Sequence, residues 1–463
     1  MTEAAPSAAL GRYAPQLAAL SLAMLVPSLG TSIANVALPS LETAFGATFP
    51  QVQWIVLAYL LAVTALIVVA GRLGDVLGRR PVLLTGIGLF TVASALGMVA
   101  PNLPSLIVAR GLQGIGAAAM MALTVAVVGD TIPRERSGTA MGWLGTVSAI
   151  GTALGPLVGG LLISWLGWRS LFGVMTMVGV LAFCAGYLTL PVVERPRRSA
   201  ELDWFGTLLL ATALAAYALV TTIGTATSLV VTIVLATLAA VAFGGFLLVQ
   251  TRARAPLVQL AVLRDPATRV SLLAMAIVSA IVMTTLVVGP FYLSGTLDLS
   301  DGATGLTMSV GPIVAALVGA PAGSLVDRAG ATRVSLGGLA GVILGAILMV
   351  ALPHAFSVLG YALALATITA GYGLFQAATT TAAMSAVAPD QRGVMSALFG
   401  LSRNLGLITG ASVMGAVFAS ASRTGLGPLP VGGETGLAVV FAVAAIASIA
   451  TSLLVARWRT ASQ

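Results

Sequence analysis

The sequence contains no lysine, one cysteine and one histidine, and only 36 of its 463 residues are charged. Each shortage excludes something. Charged residues make up 8%, against roughly 25% in soluble domains, too few to clothe the three water-facing domains that the length would otherwise suggest. A single cysteine, Cys184, admits no intrachain disulfide. It lies inside an apolar run and reads as a small buried apolar residue. The single histidine, His354, reads as a solvated loop residue. With one of each, no metal site is expected, and a hydrolytic centre has little to work with. No G-x4-G-K-[ST] phosphate-binding pattern occurs, which argues against ATP-driven chemistry by this chain alone. The net charge of +8 does not mark nucleic-acid binding, because the arginines form short clusters between apolar runs rather than one basic face.

Apolar residues, by contrast, make up 58% of the chain, and mean hydropathy is +1.06. Disordered chains are poor in such residues, so disorder is excluded as well. The composition predicts an all-α integral membrane protein whose surroundings are a lipid bilayer. Crossing ~30 Å of hydrocarbon takes ~20 helical residues. Fourteen runs are long enough, at about 14–39, 52–71, 82–100, 103–129, 138–163, 169–190, 204–223, 228–250, 270–294, 303–323, 334–352, 356–386, 393–420 and 435–456. The first is too long for the apolar part of a cleavable signal peptide.

Arginine placement sets the expected orientation. With the N-terminus in the cytoplasm, 18 arginines fall on that side and only Arg169 and Arg423 on the other. Arg110 and Arg403 lie within spans. Membrane proteins concentrate Arg on the cytoplasmic side, so the split predicts both termini there. Arginine-only usage with abundant alanine and glycine suggests a bacterial source, hence a bacterial cytoplasmic membrane.

An internal repeat is visible. The pattern G-x3-D-x2-G occurs at Gly71, Asp75 and Gly78, and again at Gly323, Asp327 and Gly330, displaced by 252 residues. Pro133-x-x-Arg136 recurs as Pro389-x-x-Arg392, displaced by 256. Two six-helix units with two extra helices between them reproduce these offsets. The expected organisation is a bundle over 1–199, an inserted helix pair over 200–255 and a second bundle over 256–463. Parallel repeats of this kind are a transporter architecture, with substrate bound near the midplane where the halves meet.

Four motifs carry a resemblance. The first is Gly71-Arg72-Leu73-Gly74-Asp75-Val76-Leu77-Gly78-Arg79-Arg80 after span 2, where Arg79 is placed to pair with a carboxylate such as Asp130. The second is Arg110-Gly111-Leu112-Gln113-Gly114-Ile115-Gly116 in span 4. Arg110 sits roughly 10 Å deep, where a charge costs ~2.5–3.5 kcal/mol, so it should face a cavity or a partner. The third is Gly151-x3-Gly155-Pro156-x2-Gly159-Gly160 in span 5, whose small residues permit close helix approach and whose proline bends the helix. The fourth is Leu29-Gly30-Thr31-Ser32-Ile33-Ala34-Asn35-Val36-Ala37-Leu38-Pro39 at the end of span 1. Together they resemble the major facilitator superfamily, specifically its fourteen-span drug:proton antiporter family. The resemblance implies the two-bundle fold. It implies a cytoplasmic gate at Gly71, Asp75, Gly78, Arg79 and Asp327, and a coupling arginine at Arg110 with Gln113 beside it. It makes Gly151 to Gly160 an exporter motif, and it implies drive by a proton gradient without a bound cofactor. One position departs: the family usually has aspartate, a site for protons and cationic drugs, where this chain has Gly30.

Uncharged polar residues form stripes expected to line a substrate cavity. Ser28, Ser32 and Asn35 share one face of span 1, and Tyr372, Gln376 and Thr380 one face of span 12. Tyr59 of span 2 and Arg403, near the middle of span 13, complete the candidates. No carboxylate reads as deep, so the two deep arginines favour neutral or anionic amphipathic substrates over cations. The expected function is secondary active export of small amphipathic molecules by a monomer using alternating access, and not catalysis. Uncoupled facilitation or uptake is the nearest alternative. A membrane sensor or enzyme fits less well, since no loop exceeds about 20 residues.

Overall fold

The computed structural model describes residues 13–132, 134–191, 203–223, 228–253, 257, 263–386, 392–424 and 432–460. Arg12, Pro133, the cluster Arg195 to Arg198, Arg254 and Pro389 lie outside them.

Among the described residues, thirteen helices are long and apolar enough to cross a membrane. One of them, Ala331–Ala386, is broken at Ser357, where φ is 48° and ψ is −123°. At 1.5 Å per residue its length is more than twice ~30 Å, so it serves as two crossings joined by a one-residue break. Fourteen crossing segments result, in agreement with the hydropathy pattern. The loop expected around His354 is therefore hardly a loop. His354 is exposed beside the break, 3.6 Å from the carboxylate of Glu434.

Spans 1 to 6 are Ala14–Val36, Phe49–Leu77, Arg79–Met98, Leu103–Thr131, Arg134–Leu166 and Arg169–Thr189. A short helix, Leu38–Phe45, follows span 1. Spans 9 and 10 are Pro266–Gly295 and Asp301–Ala329, spans 11 and 12 share Ala331–Ala386, and span 14 is Gly433–Thr460. Span 13 runs through Arg392–Thr409, a π-helical turn Gly410–Met414, and Gly415–Thr424. Spans 7 and 8, Trp204–Ile223 and Leu229–Arg252, pack on each other. Asp203 ties this pair at one end, accepting from Gly206 N at 2.8 Å and from Gln250 Nε2 at 2.7 Å. Span 7 also bridges the two sets of helices. Trp54 Nε1 of span 2 donates to Thr222 Oγ1 at 3.2 Å, and Tyr217 OH donates to Thr409 Oγ1 of span 13 at 3.1 Å.

The glycine that closes each copy of the repeat has a conformational reason. Gly78 separates spans 2 and 3 at φ 100°, and Gly330 separates spans 10 and 11 at φ 82°. A side chain is strained in that region, so the chain reverses there on glycine.

Cys184 departs from expectation: it is exposed, on the same helix as the exposed Leu181 and Tyr187. In a bilayer an apolar side chain is at ease on the outer surface, so apolar character does not imply burial.

Candidate functional site

Four assemblies of the motif residues can be built from the chain upward. The first is the hinge between spans 2 and 3. Gly78 turns the chain so that Arg79 folds back over the end of span 2. Its guanidinium meets Asp75 Oδ1 at 3.0 Å and Asp130 Oδ1, at the end of span 4, at 3.0 Å. It also donates to the Ala126 carbonyl at 2.8 Å. One arginine thus clamps three helix ends. The second copy is not arranged this way. Asp327 is exposed and makes no hydrogen bond or ion pair among the described residues.

The second assembly surrounds Arg110, which is fully buried and met by partners on neighbouring spans. Nε donates to the Ile55 carbonyl at 2.9 Å, Nη2 to the Gly30 carbonyl at 3.0 Å, and Nη1 to Gln113 Oε1 at 2.9 Å. Gln113 passes the chain of bonds to Ser94 Oγ at 2.7 Å. The ring of Tyr59 lies 4.4 Å from the guanidinium carbon, and Tyr59 OH donates to the Pro27 carbonyl at 2.8 Å. These neutral dipoles and the ring face lie on spans 1, 2, 3 and 4, and a desolvated cation–π contact of this kind contributes ~2 kcal/mol or more. Arg110 is therefore paired without an acid, and Tyr59 is a supporting ring rather than a cavity residue.

The third assembly is the glycine motif of span 5. A Cβ on Gly151 would come within 3.0 Å of the Leu25 carbonyl, one on Gly155 would collide with Ser32, and one on Gly159 would reach Ile33 Cγ1 at 3.1 Å. These three glycines seat span 5 on span 1. Pro156 lies inside the helix between them. Gly160 turns to the other set of helices, where a Cβ would lie 2.8 Å from Gly305 Cα of span 10.

This close seating corrects the reading of span 1. Ser28, Ser32 and Asn35 are buried. Ser28 Oγ pairs with Ser148 Oγ at 2.7 Å, Ser32 bonds back to its own helix, and Asn35 Nδ2 donates to the Thr31 carbonyl at 3.1 Å. Polar atoms that looked like a cavity wall are held inside a helix seam.

The Gly160–Gly305 contact belongs to a closed seam on the arginine-poor face. Ser40 Oγ donates to Asp301 Oδ1 at 2.9 Å. Gln53 Nε2 donates to the Ala411 carbonyl at 2.9 Å, and the Phe49 ring meets Phe291 edge-on at 4.5 Å. Gln53 was missed because a lone glutamine near a span end resembles an interfacial residue.

The fourth assembly is a cavity of about 530 Å³ on the arginine-rich side of that seam. Spans 2, 4, 7 and 13 wall it, and its lining includes Thr64, Gly71, Ser396, Gly400, Arg403 and Asn404. Of the cavity residues expected from sequence, only Arg403 lines it. Tyr372, Gln376 and Thr380 are half-buried on span 12 and do not. Asn404 was overlooked, although its place beside a deep arginine was a signal.

The comparisons agree with this architecture. A family model described as Major Facilitator Superfamily matches residues 20–411. Multidrug resistance protein Stp of Mycobacterium tuberculosis is 32% identical over 409 residues, 87% of this chain and 75% of that protein. Drug efflux pump JefA of the same organism is 30% identical over 410 residues, 87% and 80% of the two chains. The solved structure of the POT family transporter PepTSo is similar in fold, with a TM-score of 0.71 at 15% identity over 96% of this chain and 98% of that one. The chain belongs to the major facilitator superfamily: it is a multi-span membrane transporter and not an enzyme.

Proposed function

We propose that this transporter exports small amphipathic molecules across a bacterial cytoplasmic membrane, as a monomer, by alternating access driven by the proton gradient. The observation that carries the reading is the asymmetry of the interface. Contacts between the two sets of helices close the arginine-poor face, while a cavity lies on the arginine-rich side. With the arginine-rich face cytoplasmic, as positive-inside placement implies, this is a carrier ready to load from the cytoplasm. Residues 1–199 and 256–463 then act as the two moving bundles, and 200–255 as the inserted pair. The names of Stp and JefA support efflux of drug-like molecules.

Uncoupled facilitation is a second reading with its own support. Among the described residues no carboxylate lines the cavity, and Gly30 presents only a carbonyl to Arg110. Inverted vesicles with an imposed pH gradient test both. Coupled export predicts dye accumulation that an uncoupler abolishes. Accumulation limited to equilibration, with or without uncoupler, overturns proton drive. No dye movement with either sign of gradient overturns export.

A further inference from the structure

The two deep arginines meet opposite fates, and the contrast identifies what one of them is for. Arg110 is sealed in by carbonyls, an amide and a ring. Arg403 has no hydrogen bond or ion pair among the described residues, and its Nε is buried without an acceptor. Among the described residues it is the one charged side chain in the lining of the 530 Å³ cavity. That volume falls within the range of small-molecule sites, ~300–1,000 Å³.

Helical spacing explains how span 13 delivers it there. Ser402, Gly406 and Gly410 repeat at four-residue intervals on the face turned to span 9. Ser402 Oγ donates to the Leu272 carbonyl, and side chains added at Gly406 or Gly410 would collide with the Ala276 and Ala280 carbonyls. Ser396, Gly400, Arg403 and Asn404 recur at i, i+4, i+7 and i+8 on the face that borders the cavity. A Cβ on Gly400 would meet nothing within 4 Å, so that face is open. The packed face holds the helix rigid, and the open face presents a guanidinium with its hydrogen-bonding capacity unused.

We propose that this cavity recognises amphipathic monoanions, with a substrate carboxylate or phenolate seated on Arg403 and its apolar body against spans 2 and 4. The proposal rests on the export reading and names its substrate class. A guanidinium is a planar fork matched to two oxygens of one anionic group. One unpaired positive charge matches one negative charge. A lipophilic cation would meet Arg403 with no acid among the described lining residues to offset the repulsion. Ser396 and Asn404 supply neutral donors beside the anion without adding charge.

The test uses the purified full-length protein and two esterified dyes on one xanthene scaffold, fluorescein ethyl ester as the phenolate monoanion and rhodamine 6G as the cation. Binding is followed by fluorescence anisotropy in wild type, Arg403→Gln, Arg403→Lys and Gly400→Leu, each checked by thermal melting. Wild type should bind fluorescein ethyl ester at least ~10-fold tighter than rhodamine 6G, in keeping with a charge-assisted hydrogen-bonded contact. Arg403→Gln should remove that preference while leaving the cation within about two-fold, and Arg403→Lys should keep part of it. Gly400→Leu fills the cavity without touching charge and should weaken both dyes alike. Equal or tighter binding of the cation by wild type overturns the proposal alone and leaves export standing. So does an equal loss of both dyes in Arg403→Gln that melts normally. Binding of neither dye overturns the proposal and the assignment of this cavity to export together.

Discussion

Arg110 Nη2 donates to the main-chain carbonyl of Gly30 at 3.0 Å, so a charge buried between helices is answered by a dipole that no side chain supplies. Even without a carboxylate at position 30, each of the three guanidinium nitrogens has an acceptor. Glycine there does withhold a counter-charge, and that difference can be measured. A Cβ on Gly30 would lie 3.1 Å from Phe90 Cζ and at ordinary contact distance, 3.6 Å, from Tyr59 OH, so both Asp and Asn must nudge the same Phe90 ring.

Gly30→Asp and Gly30→Asn form a matched pair for this reason. Steric cost is shared, and only Asp pairs its charge with Arg110. Gly30→Asp should melt above Gly30→Asn, and the gap should vanish when Arg110 is also replaced by Gln. A charge-assisted bond contributes ~1.5–3 kcal/mol, enough to read in a thermal melt. Equal melting of the two single variants would show that the Arg110 pocket is indifferent to charge.

The hinge clamp predicts unequal partners. Asp75 is half exposed, whereas the side chain of Asp130 is 11% exposed, and both meet Arg79 at 3.0 Å. An exposed pair contributes ~0–1 kcal/mol, so Asp75→Asn should barely change stability. Asp130→Asn leaves a partly buried donor with a weakened acceptor and should cost ~1 kcal/mol or somewhat more. Both should slow transport severely while substrate affinity stays within a few-fold, since neither lines the cavity. Normal transport by Asp75→Asn would remove the gate assignment.

The seam on the arginine-poor face depends on two missing side chains. Gly160 and Gly305 meet backbone to backbone, so Gly305→Val should wedge that face apart without disturbing Arg403. Replacing the single cysteine, Cys184→Ser, gives a background for spin labels at the exposed positions Thr43 and Ser300. The label distance should lengthen in Gly305→Val, and transport should fall with folding intact. An unchanged distance with full transport would mean that this contact does not hold the gate.

Topology gives the fourth expectation. Spans 7 and 8 are antiparallel partners, so the segments before and after them emerge on one face. Reporter fusions after Asp203 and after Thr268 should both read cytoplasm. A periplasmic signal from either would undo the inserted-pair organisation and the assigned orientation.

The spans themselves were legible because hydrocarbon leaves the backbone no partner but itself, which forces runs of about 20 apolar residues. The hinge was legible too, since only glycine is at ease at the φ of 100° and 82° found at Gly78 and Gly330. The pairing of Arg79 with Asp130 could be anticipated because the two charges end adjacent elements of one motif set. Cavity residues were a different matter. Ser28, Ser32 and Asn35 of span 1 carry the composition of a polar wall, and they became seam residues because Gly151 and Gly155 bring span 5 onto that face.

Sequence by itself determined that the chain crosses the membrane fourteen times, reverses on glycine at its hinges, and carries two arginines at depth. It determined these because each follows from the cost of placing one residue in hydrocarbon or in a left-handed turn. Which arginine was sealed and which left open was decided only by tertiary structure. The acceptors that satisfy Arg110 include the carbonyls of Ile55 and Gly30, groups that every residue possesses and no motif records. The openness of Arg403 comes from the rotation of span 13, set where Gly406 and Gly410 press against span 9. Helix rotation depends on the fit of both partners, so neither segment carried it alone.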